Sequence, residues 1–116
     1  MFITVCKSKV TNATVTQAEL YYEGSITIDD KILKAVGIIP GEKVEILNVN
    51  NGTRIETYAI AGKSNSGQIR LNGPAARFGC VGDTIIILSY GLLDEKDAKN
   101  YKMKIVRLDG NNKIKD

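Results

Sequence analysis

Histidine and tryptophan are absent from the 116 residues of this chain, and cysteine, proline and methionine each occur only twice. Without histidine there can be no Ser-His triad, no Cys-His dyad and no His-ligated zinc site. Cys6 and Cys80 lie far apart and form no CxxC pair. They read as reduced, buried thiols behaving as small apolar residues, not as a metal clamp or a secreted disulfide framework. Neither a Walker loop nor a GxGxxG fingerprint occurs, which removes two common phosphate-cradling motifs. The apolar run Met1 to Cys6 is too short for a signal peptide or a membrane span, so a cytoplasmic setting without membrane or metal is expected. Any demanding chemistry must then come from a cofactor or from a modified residue of the chain itself.

Hydrophobic residues make up 43% of the sequence and charged residues 25%, ordinary values for a globular protein. The length suits a single domain, residues 1–116, with one core. The net charge of +3 is spread over interspersed basic and acidic residues. That is far from the concentrated footprint of a nucleic-acid binder, and no nucleic-acid partner is expected.

Phe2 to Val15, rich in Ile, Thr and Val, reads as one or two strands with Lys7 and Lys9 on one face. Ile26 and Ile28 mark a brief strand. Asp29 reads as the N-cap of a helix over Asp30 to Val36, with Ile32, Leu33 and Val36 on one face and Gly37 as its stop. Lys43 to Val49 and Thr53 to Ala61 read as a hairpin around a two-residue Asn51-Gly52 type I′ turn. Gln68 to Leu71 reads as a short strand and Pro74 to Phe78 as a single helical turn. Thr84 to Ser89 reads as a central strand buried on both sides. A small helix over Asp94 to Tyr101, a last strand over Met103 to Leu108 and a frayed tail over Asn111 to Asp116 complete the chain. Several short strands with one or two helices predict a mainly β fold, a small closed barrel whose closure removes exposed edges.

Against that frame the Gly24-Ser25 step stands out, because other motifs in the chain supply partners for an unusual reaction. Tyr22-Glu-Gly-Ser25 opens the alternation Ile26-Thr27-Ile28. Arg54-Ile-Glu-Thr57-Tyr58 and Asn72-Gly73-Pro74-Ala75-Ala76 follow it, and Lys9 precedes it. At these positions and in this order, the motifs resemble the pyruvoyl-dependent aspartate decarboxylase family, from about Val5 to about Ser89 and more loosely beyond. The resemblance implies a six-stranded double-psi β-barrel. It also implies self-cleavage between Gly24 and Ser25, giving residues 1–24 (β chain) and 25–116 (α chain), with Ser25 becoming a covalently bound pyruvoyl group. That group would replace pyridoxal phosphate, and no metal would be needed. The implied activity is decarboxylation of L-aspartate to β-alanine and CO2 through a Schiff base, supplying pantothenate and coenzyme A. The implied assembly is a homotetramer with sites between subunits.

The residue types suit that chemistry. Decarboxylating an amino acid leaves an electron pair on its α-carbon, and an imine conjugated to a carbonyl accepts it, the role pyridoxal phosphate plays elsewhere. To make a pyruvoyl group, the Ser25 hydroxyl must attack the Gly24 carbonyl carbon; serine supplies both the nucleophile and the eliminable oxygen. Glycine before it tolerates a strained backbone and leaves its carbonyl unshielded. A donor must steady the oxyanion that forms, and the resemblance gives that role to Thr57, which also lines the substrate side. A firm ion pair to the departing carboxylate would stabilise the ground state. Arg54, whose fork allows bidentate contact, is therefore assigned to the retained carboxylate. By resemblance Lys9 assists anion binding, Tyr22 shapes the pocket and Tyr58 donates the proton after CO2 leaves. A phenol of ordinary pKa, about 10, is protonated at neutral pH. Asn72 to Ala75 read as a tight turn whose N–H groups at Gly73 and Ala75 approach the substrate, Pro74 having no donor of its own.

The stretch Ser25 to Ile46 also resembles the DNA-binding swapped-hairpin barrel of AbrB-like regulators. Strand, helix, glycine stop, turn and strand are, however, what any small barrel needs. The regulator pattern usually carries Pro where Asp29 stands here, and it leaves Tyr22, Arg54, Thr57, Tyr58 and the Asn72 turn unexplained. A denaturing gel separates the two readings: two pieces for the decarboxylase, one for the regulator.

Overall fold

The computed structural model describes residues 1–115. Its strands are β1 Phe2–Thr14, β2 Gln17–Glu19, β3 Ile26–Asp29, β4 Lys43–Asn48, β5 Arg54–Gly62, β6 Ile69–Asn72, β7 Thr84–Asp94, β8 Lys104–Leu108 and β9 Ile114–Lys115. Two short helices, α1 Asp30–Val36 and α2 Glu95–Ala98, and a 3-10 turn over Gly73–Phe78 complete it. The strands lie in one hydrogen-bonded order, β2-β6-β3-β5-β4-β7-β1-β8-β9. That is more than the six strands expected, with β2 and β9, of three and two residues, added at the ends. The fold is mainly β with short helices, as the strand pattern predicts.

Antiparallel neighbours such as β4 and β5 alternate with parallel pairs of strands distant in sequence: β1 with β8, β2 with β6 and β3 with β5. The stretch Phe2 to Glu19 supplies β1 near one end of the order and β2 at the other. Chain continuity therefore draws the two ends of the sheet together around one core. Val10, Ile26, Ile28, Ile85 and Ile87 are fully buried there, each side chain contributing roughly 1.5–3 kcal/mol. α1 lays Ile32, Leu33 and Val36 onto the same core.

Asp29 caps α1 as expected, accepting from the Lys31 N–H at 2.9 Å, and Gly37 ends the helix. It does more than cap. The same carboxylate accepts from Asn65 N and Gly67 N, each at 2.8 Å, and so fastens the loop between β5 and β6.

Five expectations need correction. The connection between β4 and β5 is not a two-residue type I′ turn. Gly52 alone is left-handed there, at φ 75°. Gly52 N donates to Asn48 O at 2.8 Å, closing a wider loop. The side chains of Asn48 and Asn51 accept from Asn50 N and Thr53 N, so Asx turns replace the predicted geometry. The tail from Asn111 is not frayed through Lys115, because β9 pairs with β8. The buried Asn112 side chain also ties it down, donating to Thr14 O and Gly67 O and accepting from Thr14 N, all at 2.8 Å. Asp116 lies outside the described residues. The thiols are free but not buried: Cys6 is half-buried and Cys80 exposed. Lys7 and Lys9 part company at a register shift between Cys6 and Ser8. Lys7 bonds Gly37 O and pairs with Glu42 at 2.6 Å. The Thr84 strand is central, between β4 and β1, but runs on to Asp94.

Candidate active site

β3 positions the site. It lies between β5, to which it runs parallel with Ile26 opposite Ala59, and β6, antiparallel with Ile26 opposite Leu71. The residue before β3 therefore sits beside Tyr58 on one side and Asn72 on the other. That residue is Ser25. Asn72 N donates to Ser25 O at 3.0 Å, and the Asn72 amide Nδ2 donates to Ser25 Oγ at 3.0 Å and to Thr27 Oγ1 at 2.9 Å. Ser25, Thr27 and Asn72 are all buried. The Asn72 Oδ1 atom, also buried, has no partner.

The backbone at the Gly24-Ser25 step is strained. Gly24 has φ 112° and Ser25 φ 90°. Among the described residues the other non-glycine positive φ values belong to Asn12, Asn65 and Asn112, a residue type that tolerates them. Serine does not share that tolerance, and holding it there costs on the order of 1–3 kcal/mol. Gly73 presses on the same step from the next turn. A Cβ on Gly73 would stand 2.6 Å from Gly24 N and 2.9 Å from Gly24 Cα, and its φ of 64° is itself left-handed. Two glycines meet backbone to backbone at this point: a side chain at Gly73 would collide with the step, whereas one at Gly24 would find open space but be strained by its φ of 112°.

A cleft of about 290 Å³ opens over the step, lined by Gly24, Ser25, Thr57, Tyr58, Pro74 and Ala75, with Glu23, Ile55, Glu56 and Phe78. Its Phe78 wall is held from behind. Phe78 O accepts from Asn48 Nδ2 at 3.1 Å and Asn51 Nδ2 at 2.9 Å, and Asn48 Nδ2 also donates to Asp83 at 2.9 Å. That amide, with the Cys80 N–H, holds the Asp83 carboxyl below its ordinary pKa.

The structure thus brings together Gly24, Ser25, Thr57, Tyr58, Asn72, Gly73, Pro74 and Ala75. Tyr22 is adjacent: its carbonyl faces Gly73, and its half-exposed ring lies under the Arg70 guanidinium, 4.9 Å from the ring centroid. Lys9 and Arg54 do not line the cleft. Arg54 projects from β5 on the face shared by Glu56 and Tyr58, and its Nη1 donates to Glu45 Oε1. The Tyr90 hydroxyl donates to that same oxygen at 2.9 Å. Burial, and then the bond to Glu45, push the Tyr90 phenol above its ordinary pKa. Lys9 lies opposite Leu88, which in turn lies opposite Glu45, so Lys9 shares that outer face. Sequence reasoning missed Thr27, Asn48, Asp83 and Glu45. Thr27 and Glu45 look like ordinary strand residues, and nothing local marks them.

A strained Gly-Ser peptide in a cleft with a hydroxyl, a phenol and a carboxamide describes a site suited to chemistry on its own backbone. Comparisons with known proteins say which family builds it. The family model described as aspartate decarboxylase matches residues 1–115. Aspartate 1-decarboxylase of Carboxydothermus hydrogenoformans is 54% identical over 114 residues, 98% of this chain and 90% of that protein. That of Leptospira biflexa is 53% identical over 116 residues, covering 99% and 98%. That of Listeria monocytogenes is 55% identical over 114 residues, covering 98% and 90%. A solved structure of the computationally designed msDPBB_sym2 protein matches with a TM-score of 0.45 and 17% identity, over 75% of this chain and 96% of that one. This chain belongs to the aspartate decarboxylase family. The family match includes the Ser25 to Ile46 stretch that also resembles DNA-binding regulators. Among the described residues there is no group of three or more metal-ligating side chains, and no helix is long and apolar enough to cross a membrane.

Proposed function

We propose that this chain decarboxylates L-aspartate to β-alanine and CO2 with a pyruvoyl group made from its own Ser25, in the cytoplasm and in the supply of pantothenate. The observation that carries this is the strained Gly24-Ser25 peptide, whose serine hydroxyl is held by Asn72 beside Thr57 and Tyr58.

Processing is written in bonds as follows. Ser25 Oγ attacks the Gly24 carbonyl carbon, its proton passes to the Ser25 nitrogen, and the C–N bond breaks to leave an ester. Loss of the Ser25 α-proton and cleavage of the Cβ–O bond free Gly24 as a carboxylate terminus. The remaining enamine takes up water and releases ammonia, leaving a ketone at position 25. Strain at Gly24 and Ser25 raises the energy of the intact peptide, and Thr57 supplies the donor for the oxyanion.

The residues around Ser25 fit a small ketone there, since Gly73 and Gly24 keep side-chain bulk out and the cleft opens directly above. That group supplies the electron sink for decarboxylation. Tyr58, at the rim of the cleft, gives its phenolic proton to the carbon that CO2 leaves. Arg54 and Lys9 hold the carboxylate that stays. Because neither lines the cleft of its own chain, they act on the cleft of a neighbouring copy, in the homotetramer. Phe2, Tyr58, Tyr90, Leu92 and Ile105 are exposed, and Tyr58, Tyr90 and the two cations share one face available for such packing.

Denaturing mass spectrometry together with a product assay tests the reading. Pieces of residues 1–24 and 25–116, the latter beginning with a ketone, are expected, with β-alanine formed from aspartate. Turnover of asparagine should be far slower, and glutamate should be poor. A chain still intact after prolonged incubation, or equal turnover of asparagine and aspartate, overturns it.

A further inference from the structure

We propose that Thr27 is a positioning residue for self-processing: its hydroxyl fixes the Asn72 amide and thereby sets the geometry of Ser25 Oγ before cleavage. The inference rests on the reading that Ser25 is the processing nucleophile.

Ser25 and Thr27 flank Ile26 at the start of β3, and both hydroxyls face Asn72. Asn72 stands on β6, one position beyond Leu71, which pairs with Ile26. It is therefore the cross-strand neighbour of Ser25 and the diagonal neighbour of Thr27, within reach of both. Its single Nδ2 serves both hydroxyls, at 3.0 Å and 2.9 Å. An amide attached at one point can turn about its terminal torsion, which is broad and nearly two-fold. Attached at two points, its plane is fixed. Thr27 is the second point.

The surroundings make that second bond matter. Asn72 is 0% exposed and Thr27 4% exposed, so no solvent replaces a lost partner. The carboxamide already carries one orphan, Oδ1. Removing the Thr27 hydroxyl would strand an Nδ2 hydrogen as well, and the amide would relieve that by turning. Turning moves the donor off Ser25 Oγ, the atom whose position relative to the Gly24 carbonyl carbon that bond sets. The Thr27 methyl does separate work, lying 3.0 Å from where a Cβ on Gly62 would stand. A valine at this position keeps that packing and loses only the hydroxyl.

The experiment follows cleavage of freshly made full-length chain by mass spectrometry, in the parent, Thr27→Val and Thr27→Ser. Thr27→Val should slow the appearance of residues 1–24 by roughly tenfold, the equivalent of about 1.4 kcal/mol in the barrier. Thr27→Ser should recover most of the parent rate. Turnover per processed end should fall less than the cleavage rate does, because Ser25 Oγ is gone by then. A parent that cuts while Thr27→Val cuts equally fast overturns the role of Thr27. So does a Thr27→Ser chain as slow as Thr27→Val, which would assign the effect to packing. A parent that never cuts overturns the processing reading itself, a separate and recognisable result.

Discussion

Replacing Gly73 by alanine should damage both the fold and the proposed self-cleavage, by amounts the structure sets. The new Cβ would stand 2.6 Å from Gly24 N and 2.9 Å from Gly24 Cα, whereas a comfortable contact is about 3.5 Å. One backbone must retreat by about 1 Å. Neither partner is a side-chain tip that can swing aside. Gly73 follows Asn72, which is bonded to Ser25 through backbone and side chain, and Gly24 leads directly into buried Ser25. Alanine at φ 64° adds roughly 1–2 kcal/mol of conformational cost, and overpacking a tight contact adds about 1–3 kcal/mol. A loss of about 2–5 kcal/mol is a large share of the 5–15 kcal/mol typical of a folded domain.

The same displacement acts on the reacting atoms. A misplacement of about 1 Å costs on the order of 10² in rate, so Gly73→Ala should cut far more slowly than the parent even where it folds. Thermal midpoints at matched protein concentration measure the first effect, and timed mass spectrometry of the chain measures the second. Matching concentration matters because assembly shifts apparent stability. A Gly73→Ala chain that melts with the parent and cuts at the parental rate would refute the claim that these two backbones touch.

Other perturbations separate roles within the site and the scaffold. Thr57→Val should slow cleavage by ~10²–10³, while Tyr58→Phe should cut normally and form β-alanine slower by ~10²–10⁴; mass spectrometry and product assay on the same samples give both readings. Asn112→Ala should cost about 2–4 kcal/mol, since it strands the Thr14 N–H and two carbonyls away from water, and a urea melt would show the lowered midpoint. Asp83, whose carboxyl sits below its unfolded value of 3.8 chiefly because Asn48 donates to it, contributes stability at neutral pH that is lost as the pH falls below that value. The difference in urea midpoint between the parent and Asp83→Asn should therefore shrink on acidification, and a difference that is unchanged into strong acid would remove Asp83 from the acid response.

The parts of this molecule legible in the sequence are those set by local chemistry. Asp29, the apolar triplet Ile32, Leu33 and Val36, and Gly37 define α1 because cap, face and stop all lie within nine residues. The Gly24-Ser25 step was legible as a motif. Its partners Thr57, Tyr58 and Asn72 came only through the family resemblance, because the placement of β3 between β5 and β6 depends on strand pairings that no local pattern encodes. Thr27 looks like β-propensity and acts as a hydrogen-bond acceptor. Asn111 to Lys115 look like a polar, unanchored end, yet one carboxamide finds three backbone groups in two distant segments. Asn51-Gly52 was misread for a related reason: neighbouring asparagine side chains offered the backbone bonds that a type I′ turn lacks.

The spacing along β5 separates two of the site residues. Arg54 and Thr57 are three apart on a strand, an odd spacing, and successive side chains on a strand face opposite sides. The two side chains therefore leave opposite faces of β5, and although the cleft takes Glu56 and Tyr58 as well as Thr57, it does not reach back to Arg54. Thr57 joins Ile55, across from Val44 and Ile46, whereas Arg54 joins Glu56 and Tyr58 on the exposed side. Bending the strand to reunite them would break the pairing that holds Tyr58 beside Ser25. The proposed reaction needs an oxyanion donor next to Ser25 and a cation next to the retained carboxylate, and within one chain Arg54 is instead paired with Glu45 outside the cleft. If sites are shared between copies, as proposed, Thr57 and Tyr58 would serve the Ser25 of their own chain and Arg54 that of a neighbour. Glu45 and Tyr90 then have a clear task in the isolated chain, keeping the Arg54 guanidinium paired and oriented on the open face until a second copy covers it.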